Sequence, residues 1–120
     1  MKIAITSTEN NIEGNVDPRF GRAKYFLIYD IDNDNYEFVD NIQNVNALQG
    51  AGIQSAEIIS KHNVKYVITG HCGPKAFYTL QQAGIKIIVE VEGTLKKAIE
   101  KFKKGELKPI DKPDVDSHWM

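Results

Sequence analysis

KYVITGHCGPKAFYTLQQAGIKIIVEV, residues Lys65 to Val91, is the stretch that decides the fold. Lys65–Thr69 is short, apolar and rich in β-branched and aromatic residues, which suits a strand. Gly70 to Gly73 breaks that pattern, and Pro74 stands where a helix begins. Ala76, Phe77, Leu80 and Ala83 then mark one helical face, and Gly84 closes it. Ile85–Val91 is again apolar and β-branched. A strand, a helix and a second strand in this succession form a βαβ unit. Its strands run parallel through a right-handed crossover.

The neighbouring segments extend this unit in both directions. Upstream, Ile53, Ala56 and Ile59 recur at helical spacing between Gly50 and His62. Lys2–Thr6 alternates around Ile3 and Ile5 and runs into a polar loop from Ser7 to Gly14. Tyr25–Ile31 and Tyr36–Asp40 both read as strands. The turn-forming run Asp32-Asn33-Asp34-Asn35 between them predicts a hairpin. Downstream, Thr94 caps a helix whose inner face is Leu95, Ala98, Ile99 and Phe102 and which ends near Gly105. The predicted order is β-β-β-α-β-α-β-α, an α/β fold with a mixed sheet. From Lys108 the chain is rich in Pro and Asp and has no periodicity. A domain over residues 1–107 and a loose C-terminal tail over 108–120 are therefore expected.

With 120 residues the chain suits one domain, which buries roughly two-thirds of the surface its extended form would expose. A net charge of −1 gives no global attraction to nucleic acid or to an anionic membrane, so neither is expected as a partner. No run reaches membrane-spanning length, and MKIAITS has too short an apolar stretch for a secretory signal; the expected compartment is the cytoplasm. Cys72 is the single cysteine, which excludes an internal disulfide framework.

Chemistry concentrates in three places. Gly70-His71-Cys72-Gly73-Pro74 leaves the carboxyl end of a strand and opens a helix, where backbone N–H groups and the helix dipole favour an anion. That field would lower the pKa of the Cys72 thiol, and an adjacent imidazole and thiolate suit a soft transition metal. The plainer alternative is a tight turn with a buried cysteine. One His and one Cys do not complete a four-ligand site.

In Asp17-Pro18-Arg19-Phe20-Gly21-Arg22, two guanidinium groups sit three residues apart in a punctuated loop. They form a candidate anion clamp, with surface ion pairs as the alternative. Gly50-Ala51-Gly52 opens the first helix and can bring N–H groups close to an anion, though it matches no phosphate-loop or dinucleotide motif. His62 falls at a helix end, where a cation complements the dipole. His118 and Trp119 lie in the tail, solvated or covered by a partner, with His118 a possible late ligand. HExxH, CxxC and GxxxxGK[ST] are absent, no Ser-His-Asp order suggests itself, and the first strand carries no carboxylate of the kind a metal-dependent nuclease needs.

The runs MKIAITS, VDPRFGRAKYFLIYD and GAGIQSAEIISKHNVKYVITGHCGPKAFYTLQQAGIKI together resemble the dinitrogenase iron–molybdenum cofactor-binding domains. These are the NifX/NafY-like group, which also forms the C-terminal part of NifB. The similarity covers roughly Met1 to Gly105. It implies a ribonuclease H-like fold, a five-stranded mixed sheet flanked by helices. It also implies binding of iron–molybdenum cofactor, or a related iron–sulfur or molybdenum–sulfur cluster, during nitrogenase cofactor biosynthesis. Such a cluster is anionic and carries most of its own metal coordination, which removes the ligand-count objection. The cofactor-binding residues expected on this basis are Arg19, Phe20, Arg22, Gly50, Gly52, Gly70 and Gly73, with His71 and Cys72 as metal ligands and no catalytic residue. Cofactor-assembly or acceptor proteins are the expected partners, and the chain itself is expected as a monomer or weak homodimer.

Three functions compete at this level. The first is a non-enzymatic carrier of a metal–sulfur cofactor. The second is a thiol-dependent redox or transfer enzyme with Cys72 as nucleophile, which requires an exposed thiol of depressed pKa. The third is a protein-interaction module that holds no metal.

Overall fold

Alternation at period two builds the centre of the molecule. The computed structural model describes residues 1–116. Strand β1 (Lys2–Ser7) pairs antiparallel with β2 (Tyr25–Asp30) and parallel with β4 (Val64–Ile68). Strand β3 (Tyr36–Asp40) pairs antiparallel with β2, and β5 (Lys86–Ile88) pairs parallel with β4. The sheet order is β3-β2-β1-β4-β5, so β2 is the single strand running against the other four.

Successive side chains of each strand enter different cores. Ala4, Phe26, Ile28, Val67 and Ile87 pack on one face against α1 (Ala51–Ser60) and α2 (Pro74–Gln82), through Ala56, Ile59, Ala76, Phe77 and Leu80. Ile3, Ile5, Leu27, Tyr29, Ile68 and Ile88 pack on the other against α3 (Leu95–Lys103), through Leu95, Ala98 and Ile99. A sheet apolar on both faces needs helices on both, and the chain supplies them. Thr94 caps α3 as its sequence position requires, its hydroxyl accepting the Lys97 N–H at 3.1 Å. Among the described residues no helix is long and apolar enough to cross a membrane.

Two expectations are corrected. Ile53, read as part of the inner face of α1, is 37% exposed, and that face is Ala51, Gly52, Ser55, Ala56 and Ile59. Ser55 belongs inside because its hydroxyl is engaged there, with Gly21 O at 3.1 Å and Asn41 Nδ2 at 3.0 Å. Ala83, likewise assigned to the buried face of α2, is exposed. Within the segment expected as a tail, residues 108–120, one anchor stands out among the described residues. Ile110 N donates to Ile87 O at 2.8 Å, and the Ile110 side chain packs on the α1/α2 core. Isolated anchors of this kind leave no periodic trace in a sequence. His118 and Trp119 lie outside the described residues.

Candidate functional site

The site is organised by two threonines at the carboxyl ends of neighbouring parallel strands. Thr6, in β1, and Thr69, just after β4, are fully buried with their hydroxyl oxygens 2.9 Å apart. Thr6 Oγ1 is also 2.8 Å from Asp17 O, and a hydroxyl has one proton. Thr6 therefore donates to the carbonyl, and Thr69 donates to Thr6. Asp17 N donates in turn to Thr6 O at 2.9 Å, fixing the start of the Asp17-Pro18-Arg19-Phe20 turn to β1. Within the turn, Arg19 N donates to Asp17 Oδ1 at 3.0 Å. Burial pushes the Asp17 carboxyl up, against the opposing pull of that bond and of the Arg19 charge.

This turn then meets the Gly70-to-Pro74 turn backbone to backbone. Phe20 N donates to His71 O at 3.1 Å, and Arg19 and His71 form an isolated parallel bridge. A Cβ at Gly70 would lie 2.5 Å from Pro18 O and 2.6 Å from Pro18 Cα, so no side chain fits there. Glu90, at φ +64°, turns the chain after β5, and its N–H donates to Gly70 O at 2.7 Å. The two turns that the sequence singled out converge.

Their side chains nevertheless divide between two hollows. The first is a cavity of about 280 Å³ lined by Arg22, Leu48, Gly50–Ile53 and Gly73–Ala76. Both α1 and α2 start on it, and neither has a side-chain N-cap. The first-turn N–H groups of an α-helix have no acceptor within their own helix, so two positive helix ends face one space. Pro74 at the first position of α2 contributes no N–H, which leaves those of Lys75 and Ala76. Arg22 and Lys75 add cationic side chains. Arg22 Nη1 donates to the carbonyls of Asn44 (3.3 Å), Val45 (3.4 Å) and Ala47, which ties the loop before α1 to the rim. Beneath this loop, Asn41 donates to Ala23 O (2.8 Å) and accepts from Asn44 Nδ2 (2.8 Å), with both asparagines fully buried.

The second hollow, about 250 Å³, is lined by Pro18, Gly70, His71, Glu90, Val91 and Glu92. Two carboxylates beside the imidazole make it a poorer home for an anion than the first. His71 Nδ1 lies 2.8 Å from Asp114 Oδ2, and the other carboxylate oxygen accepts Cys72 N–H at 2.9 Å.

The expected residues are therefore distributed unevenly. Arg22, Gly50, Gly52 and Gly73 share the first cavity, while Gly70 and His71 share the second. Arg19 is exposed on the turn. Phe20 is fully buried against Phe26, with ring centroids 5.6 Å apart, and acts as the core anchor of its turn. Cys72 is also fully buried, and burial, then the Asp114 charge, pushes its thiol up to about 12. The expected lowering by the helix field is thus reversed, because desolvation outweighs it. The thiol-nucleophile reading loses both of its requirements. His62 follows the end of α1, its N–H donating to Ile59 O at 3.0 Å. Among the described residues no group of three or more His, Cys, Asp or Glu side chains is arranged to hold a metal ion.

Two participants were not identified from sequence. Lys75 sits one position after the helix-opening proline, a place that could have flagged it. Asp114, far along a non-periodic segment, left no such signal.

Comparison with known proteins adds a family. The model for "Dinitrogenase iron-molybdenum cofactor" matches residues 1–105. The solved apo form of the orange protein from Desulfovibrio gigas is 38% identical, with a TM-score of 0.92 over 95% of this chain and 96% of that one. The Thermotoga protein TM1290 is 32% identical, with a TM-score of 0.80 over 95% of this chain and 98% of that one. MJ0580 of Methanocaldococcus jannaschii is 30% identical over 113 residues, 92% of each chain.

Proposed function

Because the chain belongs to the dinitrogenase iron-molybdenum cofactor family, we propose that it is a non-enzymatic carrier of an anionic metal–sulfur cofactor, iron–molybdenum cofactor or a related cluster. The single observation that carries this reading is the 280 Å³ cavity onto which two uncapped helix starts, Arg22 and Lys75 all open. N–H groups and cations fixed by the fold attract negative charge without reorganising, whereas a neutral buried thiol does not. The residues fit a cluster that brings its own metal coordination. Arg22, Lys75 and the N–H groups around Gly50, Gly52 and Gly73 would hold its anionic sulfur face. Arg19, Gly70 and His71 border the neighbouring hollow, with His71 the candidate direct metal ligand. Cys72 would join as a ligand only if the turn opened.

The fold implied by the resemblance, ribonuclease H-like, is kept within this proposal. It is supported by the lone antiparallel strand in an otherwise parallel sheet with helices on both faces. Leu48, fully exposed at the rim, and exposed Ile53 beside it offer an apolar contact for an assembly or acceptor protein.

The test is anaerobic incubation of apo-protein with tetrathiomolybdate, and separately with iron and sulfide, followed by desalting, visible spectroscopy and metal analysis. Wild type should retain a coloured species, and Arg22→Ala should bind about tenfold more weakly, the effect of losing one charge-assisted contact. A folded wild type that retains neither molybdenum nor iron defeats the proposal.

A further inference from the structure

We propose that Asp114 is a tethered plug, an internal carboxylate seated where a guest anion would engage the start of α2. The inference rests on the carrier reading for its guest but on separate residues for its geometry. Asp114 Oδ1 accepts the Cys72 N–H at 2.9 Å while Oδ2 meets His71 Nδ1 at 2.8 Å. Its side chain is only 15% exposed. A carboxylate that spans a backbone N–H and an imidazole N–H occupies them as an incoming oxyanion or thioanion would.

The segment that delivers it is anchored four residues earlier. There Ile110 hydrogen-bonds Ile87 at the free edge of β5 and packs on the core. Because the anchor lies away from Asp114, the carboxylate can leave its seat while the strap stays attached. Its negative charge also opposes the positive field that α2 presents to the cavity lined by Gly73, Lys75 and Arg22. Asp114 does not line that cavity, so a guest confined there binds against its charge, and one that reaches the Cys72 N–H and the His71 imidazole must displace it.

The experiment titrates ¹⁵N-labelled wild type, Asp114→Ala and Asp114→Asn with tetrathiomolybdate and, in a second series, with inorganic phosphate. It follows the His71, Cys72 and Lys75 amides, with thermal melts alongside. Asp114→Ala should bind about tenfold more tightly than wild type, as expected when a competing state is removed. Asp114→Asn, which keeps an acceptor oxygen but loses the charge, should fall between them. Equal or weaker binding by Asp114→Ala, or a Cys72 amide that neither anion moves in that variant, overturns the plug. If Asp114→Ala does not fold, Asp114→Asn decides by the same comparison. Phosphate binding that is enhanced in the variant, with no thiomolybdate binding in any form, would remove the proposed cargo and leave the plug standing.

Discussion

Replacing Gly70 by alanine tests the contact on which the site geometry depends. The new methyl carbon would lie 2.5, 2.6 and 2.9 Å from Pro18 O, Cα and C, all backbone atoms that cannot rotate away. Relief requires the Asp17-to-Phe20 turn to move, yet that turn is held by Asp17 N to Thr6 O (2.9 Å) and Phe20 N to His71 O (3.1 Å). Overpacking at such a point costs about 1–3 kcal/mol, and a lost buried hydrogen bond adds roughly 1 kcal/mol. The expected destabilisation is therefore about 2–4 kcal/mol, or a fall in Tm of roughly 8–16 °C for a domain of this size. Gly84→Ala is the contrast. Its φ of +79° disfavours a side chain but nothing lies within 4 Å, so about 1 kcal/mol is expected. Urea unfolding and calorimetry measure both variants, and amide exchange at Phe20 reports whether the turns have parted. A Gly70→Ala protein that melts with wild type and keeps Phe20 protected would refute the close-approach argument.

Two further outcomes follow from buried groups. Cys72, with its thiol pushed up to about 12 against an ordinary 9.0, should alkylate at pH 8 roughly a thousandfold more slowly in native than in urea-unfolded protein. The sign for stability runs with this shift. Above pH 9 the unfolded thiol ionises while the native one stays protonated, so this contribution is present below pH 9 and is lost as pH rises toward 12; Cys72→Ala should flatten that loss. Asn41→Ala removes the donor to Ala23 O and the acceptor for Asn44 Nδ2, and should cost about 2–4 kcal/mol in urea unfolding, where a cost below roughly 0.5 kcal/mol would count against the buried network.

The layers of the fold were legible because each depends on local periodicity. Ile3 and Ile5 alternate with Ala4, Leu27 alternates with Phe26 and Ile28, and the two sets enter different cores. Pro74 and Thr94 mark helix starts by chemistry that acts within a single turn. Ile53 was misplaced for the opposite reason. The buried face of α1 is set by Ser55 reaching Gly21 and Asn41, residues far away in sequence. Asp114 was invisible on the same ground, since it meets Cys72 across 42 positions. The convergence of the arginine turn on the His71 turn could be anticipated, because both follow carboxyl ends of adjacent parallel strands. Their division into two hollows could not, because it depends on which way each side chain leaves a shared backbone contact.

That division bears on how a metal–sulfur guest would be recognised. A thiolate ligand would be selective for soft metals, but the sulfur of Cys72 lies in the apolar layer and is neutral at physiological pH. Recognition then falls to groups that read charge and shape: helix-terminal N–H groups, the guanidinium of Arg22 and the ammonium of Lys75 around about 280 Å³. Such groups hold an intact anion without a thiolate–metal bond, so a contact from His71 is the one metal–protein bond that would have to break when the guest leaves. Covalent capture by the protein's own thiol would oppose delivery. Keeping Cys72 out of the cavity is therefore consistent with a carrier whose guest arrives and leaves whole.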